Sequence, residues 1–142
     1  MSRNAIYDAL LAIGTAIAPG GVAWGETGRR MKDPGQAQMP ALFQVESEEH
    51  VDSQLGRLAR RKLHVTWVIY HNTGADLTVA PARFTADAID AILLALGPTA
   101  AGDRLSLTGQ AYAAFVEGSI KRFAGDLDGI ELVTIPITIL LP

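Results

Sequence analysis

Apolar residues near the start of the chain recur at the spacing of an α-helix. Four of them, at i, i+4, i+7 and i+11, form one stripe: Ile6, Leu10, Ile13 and Ile17. The segment APGG at 18–21 then breaks the pattern, which predicts a first helix over about residues 3–17. Because Asp8 interrupts the apolar stretch, we expect a retained helix rather than a cleaved signal peptide.

A second stripe at helical spacing lies in TADAIDAILLALGP, residues 85–98. Its apolar positions are Ile89, Ile92, Leu93 and Leu96. Thr85 can act as the N-cap, and Gly97 with Pro98 ends the pattern. The segment therefore predicts a second amphipathic helix.

A strongly apolar face alternates with a mixed face along the central strand. In KLHVTWVIYHN, residues 62–72, β-branched and aromatic residues are frequent. One face of this segment carries Leu63, Val65, Trp67 and Ile69. Residues 40–47, PALFQVES, form a shorter apolar run that opens on a proline, which strands tolerate at their first position. Both segments predict strands.

The C-terminal region predicts two further strands. Residues 130–140 alternate over their whole length, and Pro136, which cannot donate to a ladder, indicates an edge or a bulge. Residues 110–120 fit a helix or a strand by period alone. The interruption at Gly118 favours a strand paired with residues 130–140.

Two segments lack a sustained period and predict long exposed loops. Residues 20–38 are rich in glycine and polar side chains, with a short strand candidate at 22–24. Residues 48–62 turn from acidic to basic and offer little for burial. Together the patterns predict one α+β domain over residues 1–142, an antiparallel or mixed sheet of about four to five strands with two helices packed on one face.

Composition narrows the classes of function. The chain has 142 residues, of which 49% are apolar and 19% charged, so it can bury a core of its own. A net charge of -3 argues against a general nucleic-acid binder, because phosphate binding needs concentrated positive charge. The absence of cysteine excludes disulfides, thiolate catalysis and sulfur-ligated zinc, and it fits a reducing compartment.

No catalytic, metal or cofactor motif emerges from the remaining residue types. The three histidines, His50, His64 and His71, lack the i, i+4 spacing of a helical zinc site. No serine lies in a Gly-x-Ser-x-Gly elbow, and the glycines form no nucleotide-binding loop. Asp87 and Asp90 lie opposite the apolar stripe of the second helix, where a solvated surface is the usual role. We therefore expect neither an enzyme nor a cofactor.

The segment AGDLDG, residues 124–129, allows two interpretations. Asp126 and Asp128 could hold a metal ion, but two aspartates supply too few ligands, and a twelve-residue calcium loop with its terminal glutamate is not present. The favoured interpretation is a hairpin tip. In it, Gly125 and Gly129 take positive φ, and the aspartates hydrogen-bond to nearby backbone.

Two basic clusters lie in the long connections. They are Arg29, Arg30 and Lys32 in the first connection, and Arg57, Arg60, Arg61 and Lys62 in the second. Either cluster alone is compatible with scattered charge on a solvated loop. Because a compact domain of this size does not need two long polar loops, we interpret both clusters as candidate partner interfaces.

The order of several segments resembles the tail terminator, or tail completion, proteins of long-tailed bacteriophages. The resemblance runs over nearly the whole chain. It rests on MPALFQVE at 39–46, KLHVTWVIYHNTG at 62–74, the amphipathic helix that ends in LGP at 96–98, and residues 105–142, which close with IPITILLP.

This resemblance implies a structural protein of the virion neck, assembled in the host cytoplasm. Members of the family close the end of the tail tube as a six-membered ring. The implied partners are further copies of the chain, the tail tube protein, and a head-tail connector or head-closure protein, with no membrane involved. DNA passes through such a ring without specific binding, which suits a mildly acidic subunit.

Two alternatives stay open. Another neck protein, such as a head-closure or adaptor component, shares the size and the lack of catalytic motifs. A small enzyme or ligand-binding α+β domain would need polar groups that converge in a concave apolar site.

Overall fold

The computed structural model describes residues 2–53, 60–72, 82–98, 105–107, 109, 111–123 and 129–141. In these residues two α-helices form, α1 (Arg3–Thr15) and α2 (Ala82–Ala95), with short 3-10 turns at Pro19–Gly21 and Pro34–Gln36. The strands are β1 (Glu26–Gly28), β2 (Ala41–Asp52), β3 (Arg60–Asn72), β4 (Ala113–Val116), β5 (Lys121–Phe123) and β6 (Ile130–Leu140). The α+β prediction is confirmed, with six strands rather than four to five.

The six strands form one mixed sheet in the order β1-β2-β3-β6-β4. The strand β5 also pairs with β6, on the side that β4 occupies, so β4 and β5 lie one after the other along the same flank. All pairs are antiparallel except β1 with β2. This alternation leaves β2 and β6 running in one direction, and β3, β4 and β5 in the other.

One face of the sheet and the two helices enclose the main core. The buried sheet residues of this helix-covered face are Leu42, Leu63, Val65, Trp67, Ile69, Val133, Ile135, Ile137 and Ile139. The helices contribute Ile6 and Leu10 from α1, and Ala88 and Ile92 from α2. The predicted alternation in β3 and β6 is thus confirmed, because the apolar set of each strand faces the helices.

The helix α1 is held on the sheet by close packing and by buried hydrogen bonds. The Trp67 indole Nε1 donates to Gln44 Oε1 at 3.0 Å, and Gln44 Nε2 donates to the Tyr7 carbonyl at 3.0 Å. A Cβ added to Gly14 would meet Leu42 Cδ2 at 2.7 Å and Trp67 Cη2 at 2.9 Å. Only glycine therefore allows the helix to approach the sheet this closely.

The opposite side of the sheet, which we term the open face, carries no helix in the described part of the chain. A smaller apolar cluster lies there at one end, formed by Ala41, Phe43, Val68 and Tyr70 under the loop residues Ala37 and Met39. Farther along this face, the side chains of Val45, Thr66 and Pro136 are only half-buried, while Thr138 is buried. Among the described residues, the helices therefore cover one side of the sheet, and loop residues cover one end of the other side.

The predicted exposed connection over residues 48–62 is wrong for most of its length. The strand β2 continues to Asp52 and β3 begins at Arg60, so the two strands form a long hairpin arm with Asp52 opposite Arg60. Residues 54–59 lie outside the described residues. The side chains of the arm are largely exposed, so the arm buries no apolar face. Backbone pairing rather than burial stabilises these strands.

Three local predictions also need correction. The short strand lies at Glu26–Gly28 rather than 22–24, because the Gly25 amide donates to the Pro40 carbonyl and aligns the next residues with β2. The helix α2 begins at Ala82, so Thr85 is not its N-cap but a buried residue within its first turns. The predicted loop at 20–38 includes two 3-10 turns besides this strand.

The strand that contains Pro136 is interior, so the prediction of an edge is wrong. Its β3 partner is Thr66, while on the other flank β5 pairs with residues 132–134 and β4 with 137–140. Pro136 faces the break between them, where its carbonyl accepts from the Glu117 amide at 3.2 Å. Gly118, at φ +114, passes close to the proline ring. A residue without an N–H is tolerated because the neighbouring ladder is interrupted at this point.

Candidate functional site

The first basic cluster is divided by the structure, because Arg29 is used within the subunit. Its Nε donates to Glu46 Oε1 at 2.7 Å, and its Nη1 lies 3.0 Å from Asp8 Oδ1. The guanidinium also lies 5.1 Å from the centre of the Tyr7 ring. Burial opposes its charge, but the hydrogen bonds to Glu46 and Asp8 outweigh this effect and raise the pKa of Arg29. Arg29 therefore fastens the loop after β1 to α1 and β2.

The other two members of this cluster are more accessible. Lys32 Nζ lies 2.8 Å from Glu26 Oε2, and the Lys32 side chain remains half-exposed. Arg30 is exposed and lines a groove of about 450 Å³ on the open face, together with Met31, Val45 and Thr66. Of the first cluster, Arg30 is thus the residue best placed for an external partner.

The described side chains of the second cluster, Arg61 and Lys62, lie in the outer half of the hairpin arm, opposite Val51 and His50. Arg57 and the Arg60 side chain lie outside the described residues. Arg61 and Lys62 line a groove of about 560 Å³ whose other residues are Tyr112, Phe115, Glu117, Leu140 and Leu141. This groove shares no lining residue with the groove of about 450 Å³ that contains Arg30, so Arg61 and Lys62 do not line that groove together with Arg30.

The predicted hairpin tip is described only at its last residue. Gly125, Asp126 and Asp128 lie outside the described residues. Gly129 has φ +68, in the region that favours glycine, and it directly precedes β6. Since β5 and β6 pair antiparallel, residues 124–129 connect two neighbouring strands.

A buried polar cluster under α2 escaped the sequence analysis. The Glu131 side chain is only 3% exposed, and its Oε1 accepts from Thr85 Oγ1 at 2.8 Å. Arg122 Nη2 reaches the same two residues, at 2.6 Å from Thr85 Oγ1 and 3.4 Å from Glu131 Oε1. The register places His71 opposite Glu131, and its ring stacks on Phe84 at 4.5 Å. The sequence feature that could have revealed this cluster is Glu131, a charged residue on the same strand face as the apolar Val133.

Two polar atoms in this cluster are buried without a hydrogen-bond partner, Glu131 Oε2 and His71 Nδ1. Desolvation lowers the pKa of the His71 imidazole, although the Glu131 carboxylate acts in the opposite direction. The arrangement keeps a neutral histidine beside an acidic side chain at the end of the helix-covered face. It links α2 to β5 and β6 by hydrogen bonds, and so has a clear structural role.

No model of a protein family matches the chain, and no curated protein matches it significantly.

Within the described ranges, no group of three or more histidine, aspartate or glutamate residues is placed to hold a metal ion. Neither described helix is long and apolar enough to cross a bilayer.

The partly buried His71 predicts a loss of stability in acid. Because burial lowers the folded-state pKa of His71 below its ordinary value of about 6.5, the unfolded chain binds more protons just below that pH. Stability is therefore lost as the pH falls from about 6.5 toward the folded-state pKa. Urea unfolding at about pH 7.5 and about pH 5 should show a smaller acid loss for His71→Phe than for the unsubstituted protein.

The matched control for this experiment is His50→Gln, since His50 is exposed on the hairpin arm. We expect its acid loss to equal that of the unsubstituted chain. An equal acid loss in His71→Phe would show that His71 does not couple to folding.

Proposed function

We propose that this chain is a virion protein that caps the end of a phage tail tube as a ring. In this role it binds the last ring of the growing tube, stops polymerisation by covering its growing face, and presents a new face to the head connector. The proposal starts from the resemblance in segment order to tail terminator proteins. The α+β fold, a sheet with both helices on one side, is the architecture that this resemblance implies.

The observation that carries the proposal furthest is the presence of two unlike open edges on one sheet. On one flank, β1 covers only residues 41–43 of β2, and nothing in the described chain pairs with the outer edge beyond them. On the other flank lie β4 and β5. A subunit of a closed ring needs two different surfaces, one for each neighbour, and this sheet offers them.

The open face and its two grooves are the proposed surfaces for the tube and the connector. Each groove combines apolar walls with cationic side chains, Arg30 in one and Arg61 with Lys62 in the other. Apolar contacts supply binding energy and charged groups set orientation and rate of association. The net charge of -3 suits a lumen that must not retain DNA.

The test is electron microscopy and native mass spectrometry of the purified chain, alone and mixed with tail tube protein. We expect a ring of six copies at the tube end, and shorter tubes as the chain is added during polymerisation. A chain that binds the portal or head connector but never a tube end would identify the alternative neck protein. A monomer that binds neither would contradict both.

Charge reversal at Lys62 should weaken tube capping. Lys62 is exposed at the rim of the second groove, so Lys62→Glu leaves the core intact and places a carboxylate where the partner meets a cation. We expect about a tenfold loss of affinity for tube ends, reduced at high salt. Arg83→Glu, an equal charge reversal at an exposed position of α2, is the control. Equal capping by the two variants would remove this groove from the interface.

A further inference from the structure

No described residue pairs with the outer edge of the hairpin arm, and this edge carries mainly negative charge. From Glu48 to Asp52 every residue of β2 is exposed. Glu49 is held by Arg3 of α1 at 2.8 Å, on the helix-covered side. Glu48 and Asp52 point to the open face, and neither has an ion pair in the described part of the chain. The edge thus offers backbone groups and two carboxylates to a partner.

The opposite flank of the sheet has a complementary character at β5. All three β5 residues are exposed, and Phe123 is 51% exposed although it is large and apolar. Lys121 pairs with Thr134 and Phe123 with Leu132, which places both side chains on the open face. The adjacent strand β4 is less available, because its Ala114 amide already donates to the Leu105 carbonyl.

Strand direction allows these two edges to join. The strands β2 and β6 run one way, and β3 and β5 run the other. A second copy rotated about an axis inclined to the strands therefore brings its β5 antiparallel to β2 of the first, and the sheet continues across the boundary. The alternative of two β2 edges facing each other would place Glu48 and Asp52 against the same carboxylates, which is unfavourable.

We propose that neighbouring copies of this chain join by antiparallel pairing of the β2 edge, Glu48–Asp52, with the β5 edge, Lys121–Phe123, of the next copy. The inference rests on the ring of the proposed function and names its subunit contact. Because the two edges differ, the contact is head-to-tail, the type of contact that generates a ring when its rotation closes. The free part of β2 lies farther along the sheet than β5, which gives the stagger that a closed sheet requires.

Side-chain chemistry selects one register. Pairing Asp52 with Lys121 places His50 opposite Phe123, with all four side chains on the open face. A shift by one residue would turn the side chains of one of the two strands to the other face of the sheet. A shift by two in one direction leaves Lys121 opposite His50 and Phe123 opposite Glu48. It places Arg122 opposite Glu49, a carboxylate that Arg3 already binds. A shift by two the other way runs past the end of β2.

Disulfide cross-linking tests this register directly, since the chain contains no cysteine. Residues opposite each other on paired strands have the Cα separation that a disulfide needs. We expect His50→Cys with Phe123→Cys to give, on oxidation, a ladder of covalent oligomers that ends at the ring number. Each single variant should stay monomeric on a denaturing gel. The matched control is Val51→Cys with Phe123→Cys, which places the thiols on opposite faces and should cross-link at least about tenfold less.

Exchanging the two charges tests the proposed ion pair between Asp52 and Lys121 of the next copy. Lys121→Glu should disperse the ring in native mass spectrometry, with at least a severalfold rise in the concentration needed for assembly, and Asp52→Lys added to it should restore assembly. Rings that persist without the His50–Phe123 ladder would overturn this contact and leave the proposed function standing. Covalent dimers from either single cysteine variant would indicate a two-fold contact and also overturn it. A strict monomer that binds no tube end would instead contradict the ring itself.

Discussion

Replacing Trp67 with alanine should lower the free energy of unfolding by about 3–5 kcal/mol. Trp67 is fully buried at the centre of β3, where its ring packs against Gly14 of α1. Truncation leaves a cavity between the helix and the sheet that the close-packed neighbours cannot fill. It also removes the donor to Gln44 Oε1, and an unpaired buried amide oxygen costs about 1–3 kcal/mol, a contribution within that range.

Two further variants separate packing from hydrogen bonding. Trp67→Phe retains most of the ring volume but lacks the indole N–H, so we expect a loss of about 1–3 kcal/mol. Phe123→Ala truncates an aromatic residue that is half-exposed, and its effect should stay under about 1 kcal/mol. Urea unfolding followed by circular dichroism measures all three. Equal losses for Trp67→Ala and Phe123→Ala would contradict the assigned core.

Elements whose side chains are buried on one face could be predicted from the sequence. The strand β3 alternates around Trp67, β6 alternates over its whole length, and α1 follows its stripe to within two residues of the predicted end. In each case burial of an apolar face imposes the period that the sequence displays. The same logic located α2, since Ile92 and Leu96 lie in the core.

Elements that depend on backbone pairing alone could not be predicted in this way. The outer half of the hairpin arm has exposed side chains, so residues such as Glu48 and Lys62 carry no period that distinguishes a strand from a loop. The short strand β1 depends on a hydrogen bond from Gly25 to Pro40, residues fifteen positions apart. Pairing partners distant in sequence leave no local pattern.

Only some of the candidate interface residues are available to a partner, and the sequence could not show which ones for a similar reason. A run of basic residues suggests an external partner, but Arg29 binds Asp8 and Glu46, which the fold brings to it from separate elements. Arg30, its neighbour in sequence, stays exposed. Proximity of cations in a sequence therefore does not establish a common surface. Only the positions of their acidic partners decide which charges remain available to another molecule.

The exposed charges of the arm follow the same rule. On the helix-covered side, carboxylates of β2 are neutralised by cations of α1 and of the loop after β1, as Glu49 is by Arg3 and Glu46 by Arg29. On the open face, Glu48 and Asp52 form no ion pair among the described residues, and the register places Lys62 diagonally beside both of them. An edge strand with unpaired charge resists indiscriminate association and accepts a partner of opposite charge. This selectivity is what a ring with one permitted contact requires.

The second large effect is expected at the buried polar cluster, where Thr85→Val should cost about 2–3 kcal/mol. Valine keeps the shape of threonine but removes the hydroxyl that donates to Glu131 Oε1 at 2.8 Å. Glu131 Oε2 already lacks a hydrogen-bond partner, so the carboxylate then keeps only the longer contact with Arg122 at 3.4 Å. A buried charge that loses a hydrogen bond is costly because water cannot replace the donor.

The decisive comparison is with the double variant Thr85→Val with Glu131→Leu. Leucine removes the charge and extends the apolar face that Val133 continues, while Arg122, 37% exposed, can be hydrated. We therefore expect the double variant to be more stable than Thr85→Val alone, since replacing both partners of a buried polar pair costs less than orphaning one. Thr134→Val, at a half-exposed position of β6, is the control and should change stability by no more than about 0.5 kcal/mol. Losses that simply add in the double variant would show that Thr85 and Glu131 stabilise the fold independently, because coupled partners must depart from additivity.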